Sequence, residues 1–233
     1  MKQICIIILS ITLLAGVCSA EEKLNLQDEK VKLSYSVGYQ VGSDFKRQGV
    51  DISPAELLLG VQDALSGSKP QLSREEMQTT LAKLQLSIKA AQEQKIKAQA
   101  EKNLADGIAY LFENSKKEGV TTLDSGLQYK VLAEGTGGES PKATDTVTVN
   151  YRGTLIDGTE FDSSYKRNQP ATFRVDRVIP GWTEALQLMR EGDKWMLFIP
   201  ANLAYGERKA GPIEPNSTLI FEVELISIQQ QPG

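Results

Sequence analysis

A tryptophan stands where a loop turns into a predicted helix, in the segment VIPGWTEAL at residues 178–186. Pro180 has the fixed φ that suits a first helical turn, and Gly181 lets another part of the chain approach closely. Trp182 then adds a large apolar ring with a single polar N–H. Such an indole is either ordinary core or the apolar floor of a binding pocket. Composition alone favours core, and the local sequence leaves both interpretations open.

The usual nucleophiles and metal ligands of enzymes are scarce in this chain. It has no histidine, and its two cysteines, Cys5 and Cys18, both lie among the first twenty residues. This composition weighs against Ser-His-Asp and Cys-His catalysis and against zinc sites built from histidine or cysteine. Any chemistry must therefore rely on apolar surface, hydroxyls, carboxylates and backbone groups, and we expect neither a cofactor nor a metal ion.

The first twenty residues have the pattern of a secretory signal. Lys2 supplies the positive start, residues 4–17 form an apolar run, and Ser19 and Ala20 are small residues at the expected cleavage point. Because that run is short for a bilayer span, we expect cleavage after Ala20 and no transmembrane segment in the mature chain. The expected location is the periplasm, with the outer membrane and the cell surface as open alternatives.

Length and net charge limit the number of domains and the kinds of partner that the chain can have. The 233 residues suffice for one or two domains, and 40% hydrophobic content is enough for a core. The 26 basic residues against 30 acidic ones give a net charge of −4. This balance is unlike that of a nucleic-acid-binding protein, so we expect no nucleic-acid partner.

Helical signals dominate the first half of the mature chain. Apolar residues recur at helical spacing from Val31 to Phe45, where Gly38 and Gly42 form a small-xxx-small pair that indicates either close packing or local looseness. The tetrapeptides SPAE and SREE, which begin at residues 53 and 73, match the capping box of a helix start. From residue 73 to about 117 the sequence predicts one helix of roughly 65 Å.

These helices have too few apolar residues for an independent core, so pairing with a second copy is the simplest way to bury them. We therefore expect a signal at 1–20, a helical dimerisation domain at 21–72 and a long connecting helix at 73–118. A compact monomeric bundle folded back on the C-terminal part is the alternative. A structural coiled coil is disfavoured because the apolar stripe of the long helix fades by about Ala98.

Beyond Gly119 the sequence pattern changes to short runs that are rich in β-forming residues. Polar and apolar residues alternate from Thr146 to Tyr151 and from Phe221 to Ile228, and the pair at residues 157 and 158, Asp-Gly, is a hairpin turn signal. One helix is predicted at about residues 183–189. Residues 119–233 thus indicate an α+β domain, an antiparallel sheet packed around one short helix.

Four segments of this domain resemble, in order and spacing, the FKBP-type peptidyl-prolyl cis-trans isomerases: VNYRGTLIDGTEFDSS, VIPGWTEAL, LAYG and NSTLIFEVELI. The resemblance covers roughly residues 120–228. With the signal, the helical part and the long helix added, nearly the whole chain is similar to the macrophage infectivity potentiator subgroup of secreted bacterial isomerases. It implies a sheet of five or six antiparallel strands curled around one helix, with an apolar pocket between them.

The resemblance also implies roles for individual residues. Catalytic roles fall to Asp162, Ile179, Trp182 and Tyr205, and substrate-binding roles to Tyr151, Phe161, Arg167, Val178 and Phe221. In this family the indole floors the pocket beneath the proline ring, while a tyrosine hydroxyl and a backbone N–H bind substrate carbonyls. The carboxylate, paired with the arginine, stays ionised and transfers no proton. Taken singly, each residue also has an ordinary interpretation as sheet core, turn or loop residue.

The function implied is acceleration of X-Pro bond rotation in proline-containing client proteins by an exported homodimer, with macrolides as conceivable inhibitors. The alternative is a chaperone or host-contacting module whose isomerase pocket is incidental. Four positions depart from the family pattern, namely Ala171, Leu203, Ala210 and Glu214, of which Glu214 is expected near the pocket rim. These departures bear on macrolide affinity and on the preferred residues around proline.

Overall fold

The computed structural model describes residues 25–230, and the predicted export signal at residues 1–20 lies outside this range. The chain divides into a helical unit that ends at Leu81 and a second unit that begins at Ala82. The boundary falls inside one long helix, so that the first turns of this helix belong to one unit and the remainder to the other. Among residues 25–230, no helix combines the length and apolar composition needed to cross a membrane.

Three helices follow one another from the start of the described chain: α1 (Glu29–Gln48), α2 (Pro54–Ser66) and α3 (Arg74–Asn114). Asp28 caps α1 by accepting a hydrogen bond of 2.8 Å from the N–H of Lys30. The capping box predicted before α3 is present, because Ser73 N–H donates to Glu76 Oε2 at 2.8 Å and Glu76 N–H donates to Ser73 Oγ at 3.2 Å. Both bonds satisfy donors that a helix start leaves free.

The capping box predicted before α2 does not form. The Ser53 hydroxyl donates to the Glu56 carboxylate instead of accepting from the helix backbone. Pro54 still opens the helix with its fixed φ, so α2 begins where the sequence predicted and without a side-chain cap. The long helix α3 ends at Asn114, slightly before the predicted end near Lys117.

Neither α1 nor α2 has a buried residue in the described chain. Large apolar side chains are exposed along both helices: Leu33, Tyr35, Val37, Tyr39, Val41, Leu58, Leu59, Val61 and Leu65. The predicted scarcity of core in this unit is therefore observed.

The second unit is built on an antiparallel sheet. Within residues 25–230 its strands are β1 (Val120–Thr122), β2 (Gln128–Ala133), β3 (Thr146–Leu155), β4 (Glu160–Ser163), β5 (Ala171–Arg174), β6 (Lys194–Ile199) and β7 (Leu219–Gln229). The strand order is β1-β2-β6-β7-β3-β4, and β5 also pairs with β3. The sheet thus has seven strands where the resemblance implied five or six, because β1 is a three-residue edge strand with little sequence signal.

The core lies between the sheet and one short helix, α4 (Pro180–Leu186). The longest pairing joins β3 to β7, from Thr146 opposite Gln229 to Leu155 opposite Leu219. Because side chains alternate along each strand, every second residue of both strands points inward. Helix α4 begins three residues before the predicted residue 183, since Ile179 takes the extended N-cap conformation and Pro180 the first helical position.

The last turns of α3 pack on this sheet. Asn114 is buried and donates from Nδ2 to Gln128 Oε1 at 3.0 Å, while Gln128 Nε2 donates to the Leu111 carbonyl at 2.9 Å. The Tyr110 ring lies 6.2 Å from the Phe198 ring of β6. The C-terminal part of α3 therefore belongs structurally to the sheet unit.

Candidate functional site

A cavity of about 600 Å³ opens between the sheet, α4 and the segment that follows β6. All of the sequence-predicted site residues except Arg167 line it. Its wall is formed by Tyr151, Phe161, Asp162, Phe173, Arg177, Val178, Ile179, Pro180, Trp182, Ala204, Tyr205, Arg208, Ala210, Pro212, Ile213 and Phe221. The lining is mainly apolar and aromatic, with a few polar groups at the edge, as is usual for a small-ligand or peptide site.

Trp182 is both core and cavity wall. Its side chain is 4% exposed and belongs to the buried cluster between sheet and helix. The rings of Tyr151 and Phe221 stand nearly perpendicular to the indole, with centroids 5.3 and 5.2 Å away. Edge-to-face packing of this kind fixes a ring firmly. Within residues 25–230 the indole N–H has no hydrogen-bond partner. The indole therefore belongs to the core and also lines the cavity.

The start of α4 explains how this ring is presented. Ile179 has φ −63° and ψ 148°, so its backbone N–H precedes the helix and is not used by it. A Cβ on Gly181 would lie 2.5 Å from Cγ2 of Ile199, so only glycine lets the helix start approach β6 this closely. Thr183 adds a bond of 2.7 Å from its hydroxyl to the Val175 carbonyl. Trp182 is thereby held against the cavity.

A carboxylate, a phenol and a guanidinium form a closed network at the cavity edge. Tyr151 donates from its hydroxyl to Asp162 at 2.5 Å, and Arg167 donates to both Asp162 and the Tyr151 hydroxyl, the latter at 2.7 Å. The Ser163 N–H adds a bond of 2.8 Å to Asp162. Arg167 thus contacts the site through these two residues and does not itself line the cavity.

This network fixes the charge state of its members. Burial opposes ionisation of Asp162, but the hydrogen bonds from Tyr151 and Arg167 and the charge of Arg167 outweigh it, so that the pKa of Asp162 lies below its ordinary value. Burial and the bond to Asp162 raise the pKa of Tyr151, and the bond to Asp162 raises that of Arg167. At neutral pH the carboxyl is therefore ionised and the phenol neutral, which suits orientation and not proton transfer.

Sequence reasoning missed Phe173 and the basic edge of the cavity. The Phe173 ring lies 5.8 Å from the indole at 89°. The period-two pattern of the segment ATFRV could have identified it, since Ala171 and Phe173 share one face of β5. Arg177 and Arg208 lie at the cavity edge in segments without periodicity. Glu214, expected near the rim, pairs with Lys209 and does not line the cavity.

In the described part of the chain, no three histidine, cysteine, aspartate or glutamate residues cluster in a way that could hold a metal ion. Asp162 already accepts bonds from three donors. What the site can do chemically is to enclose an apolar ring over the indole and offer donors at its rim.

Comparisons with known proteins agree with this geometry. Residues 137–226 match the family model described as FKBP-type peptidyl-prolyl cis-trans isomerase, and residues 30–131 match the model of the domain amino terminal to it. The chain is 50% identical to the outer membrane protein MIP of Legionella longbeachae, over 91% of each chain. It is 44% identical to the peptidyl-prolyl cis-trans isomerase Mip of Coxiella burnetii, over 99% of this chain and all of that one.

A solved structure supports the same assignment for the fold. The crystal structure of FkpA from Escherichia coli matches with a TM-score of 0.75 and 40% identity, over 88% of this chain and 99% of that chain. The resemblance inferred from the four quoted segments is confirmed, as is the predicted fold class. The chain belongs to the FKBP-type peptidyl-prolyl cis-trans isomerases, and within them it is similar to the Mip proteins.

Proposed function

We propose that this protein is an exported peptidyl-prolyl cis-trans isomerase, which accelerates X-Pro bond rotation in unfolded or partly folded proteins. The supporting observation is the aromatic cavity over Trp182, with an ion-paired carboxylate at its edge. A proline ring fits an apolar enclosure of this kind, and the peptide on either side of it can leave through the open rim.

The physical task is to stabilise a twisted amide. Rotation about an X-Pro bond meets a barrier near 20 kcal/mol because amide resonance is lost, and exchange without a catalyst takes tens of seconds. An acceleration of four to five decades requires about 5–7 kcal/mol of transition-state stabilisation. The planar amide is charge-separated, whereas the twisted amide is less polar, so transfer into an apolar cavity disfavours the planar form more.

Directed hydrogen bonds supply the remainder. The Tyr205 hydroxyl and the Ile179 N–H, both at the cavity wall, are the donors that we assign to the substrate carbonyls. Each bond contributes on the order of 1–3 kcal/mol in a site from which water is excluded. Asp162 stays ionised in its network with Tyr151 and Arg167 and orients the substrate without exchanging a proton.

The test is cis-trans exchange of a short Xaa-Pro peptide by purified residues 21–233. Asp162→Leu and Tyr205→Ala should each lower kcat/KM at least tenfold while the sheet unit stays folded. Matched controls are Asp157→Asn, a hairpin carboxylate away from the cavity, and Tyr165→Phe, an exposed tyrosine. Equal rates for wild type and both site variants would overturn the proposed activity.

The assembly proposal is a homodimer formed through the helical unit, with a division at residues 21–72, 73–118 and 119–233. Its support is the row of exposed apolar side chains on α1 and α2. Neither helix has a buried residue in the described chain. Light scattering should give twice the monomer mass. A monomeric mass at micromolar concentration would contradict the dimer.

The alternative, a chaperone or host-contacting module, draws on the same exposed apolar surface. An aggregation assay with an unfolded client distinguishes the two, because a chaperone role survives Tyr205→Ala whereas isomerase activity does not.

For location, the proposal is export to the periplasm or onward to the outer membrane. Fractionation of cells that express the full chain, with and without residues 1–20, tests this.

A further inference from the structure

One wall of the cavity is a loop without regular structure. We call residues 206–217, between Tyr205 and β7, the rim loop. Its tip supplies Arg208, Ala210, Pro212 and Ile213 to the cavity wall. The tip is a tight turn, because the N–H of Ala210 donates to the Ile213 carbonyl at 2.9 Å and the reverse bond measures 3.0 Å. A displacement of this loop would change the shape of the substrate site.

The base of the rim loop is closed by Asn216. Its backbone N–H donates to the Gly206 carbonyl at 2.7 Å, which joins the two ends of the loop. Asn216 takes a positive φ of 57°, a conformation that asparagine tolerates better than most residues. Ser217 adds a bond of 2.7 Å from its hydroxyl to the Glu214 carbonyl. The loop is thus a closed unit whose position depends on what holds its base.

Helix α3 holds this base through a reciprocal pair of asparagines. Asn103 donates from Nδ2 to the Pro215 carbonyl at 2.8 Å. Asn216 donates from Nδ2 to the Ala100 carbonyl at 3.4 Å, a longer and weaker bond. Both contacts are partly buried. All of these residues lie in the unit that begins at Ala82.

Gly107 makes this approach sterically possible. It is buried, and a Cβ at this position would lie 2.3 Å from Oγ1 of Thr218, which is itself buried directly after the rim loop. Any larger residue would push α3 away from Thr218. Glycine inside a helix disfavours the helix by about 1 kcal/mol, so its occurrence here favours a packing role.

We propose that the 100–107 segment of α3 positions the rim loop, and that Asn103 is a positioning residue of the substrate site. The inference rests on the isomerase activity proposed above. Trp182, Asp162 and Tyr205 are held by α4, by β4 and by the turn after β6, and they stay in place when the loop moves. Loss of the Asn103 bond should therefore weaken substrate binding and leave the rotation step nearly unchanged.

The experiment compares three substitutions of Asn103 in residues 21–233. Asn103→Ala and Asn103→Asp remove the amide donor and should raise KM about threefold to tenfold, with kcat within about twofold, as expected for one hydrogen bond. Asn103→Gln keeps a donor and should restore part of the loss. Lys102→Ala, an exposed neighbour that forms an ion pair with Asp106, is the control and should leave KM unchanged.

Amide hydrogen exchange provides a readout independent of catalysis. In Asn103→Ala, exchange should accelerate at least fivefold in residues 206–217 and stay unchanged in β6 and α4. Unaltered exchange and unaltered KM in both donor-free variants would overturn the inference. If wild type is inactive but the rim loop still exchanges faster in Asn103→Ala, Asn103 positions the loop and the proposed isomerase activity fails.

Discussion

The helical unit and the sheet unit differ in how much of their apolar surface a single chain buries. In the sheet unit Leu197 and Leu225 are fully buried between β-strands and α4, whereas Leu58 and Leu65 of α2 are 62% and 85% exposed. Leucine occurs in both regions, so the residue type alone does not decide whether a side chain is buried. The difference shows that the sheet is stabilised by contacts within the chain. No residue of α1 or α2 is buried in the described part of the chain.

The largest expected effect on stability comes from replacing a leucine by alanine in each of the two units. Leu197→Ala removes a fully buried side chain from β6 and should lower the free energy of unfolding of the sheet unit by about 2–5 kcal/mol. Leu58→Ala should leave this unfolding transition unchanged within about 0.5 kcal/mol. Urea denaturation followed by tryptophan fluorescence measures both, because Trp182 and Trp195 lie in the sheet unit.

Self-association makes the comparison sharper. If a second copy covers α2, Leu58→Ala should weaken dimerisation about tenfold in sedimentation equilibrium, an effect absent from Leu197→Ala at temperatures where the sheet is folded. Identical dimer affinity in wild type, Leu58→Ala and a Leu65→Ala variant would exclude this face of α2 from the interface.

The two units also differ in how well the sequence predicted them. Alternation predicted β3 and β7 because one face of each strand is buried, and the quoted family segments identified the aromatic wall and Asp162. The tetrapeptides at Ser53 and Ser73 looked equivalent, yet only the second forms its box, since the Ser53 hydroxyl is taken by the side chain of Glu56. A local sequence pattern does not decide which of several hydrogen-bond partners a side chain takes.

Contacts between distant segments were beyond sequence reasoning for a different reason. The bond from Asn103 to Pro215 joins residues 112 positions apart, and neither residue belongs to a periodic pattern. The rim loop likewise has no period that would reveal Pro212 and Ile213 as cavity wall. Such residues are positioned by tertiary packing, and only the folded chain brings them together.

Substitutions of two glycines, one in each unit, should have intermediate effects on stability. A Cβ on Gly153 of β3 would lie 2.6 Å from the Phe161 ring and 2.7 Å from the Phe221 ring, both in the cavity wall. Gly153→Ala should therefore destabilise the sheet unit by about 1–3 kcal/mol and lower kcat/KM, because the walls must shift. Thermal unfolding and the peptide exchange assay measure these effects.

Gly42 of α1 is the counterpart in the helical unit. Apart from its two chain neighbours and the backbone of its own helix, no atom of the described chain lies within 4 Å of a Cβ at this position. Gly42→Ala should therefore increase helix stability by about 0.5–1 kcal/mol, measured by circular dichroism. Destabilisation by this substitution would contradict the prediction and would indicate that a second copy packs into the notch formed with Gly38.

The smallest expected effect is the change of stability and activity at acidic pH. The pKa of Glu76 at the start of α3 is lowered by its hydrogen bonds to Ser73, and the pKa of Asp162 is lowered by Tyr151 and Arg167 against the effect of burial. A carboxyl whose pKa is lower in the folded state stabilises the fold above its unfolded-state pKa, and this contribution is lost as pH falls through the folded-state value. Carbon NMR titration of both carboxyls should place each below an unfolded peptide reference.

Activity should respond to only one of these two groups. Between about pH 5 and 8 both carboxyls stay ionised and the chain has no histidine, so kcat/KM should be flat across this range. Below it, protonation of Asp162 breaks its pairing with Arg167 and the rate should fall, whereas Glu76→Gln should leave the profile unchanged. Asp162 is 42% exposed at its side chain, so the accompanying loss of stability is small. An activity decline centred near pH 6.5 would contradict the assignment, because the pKa of Asp162 lies below its ordinary value and the pKa values of Tyr151 and Arg167 lie above theirs.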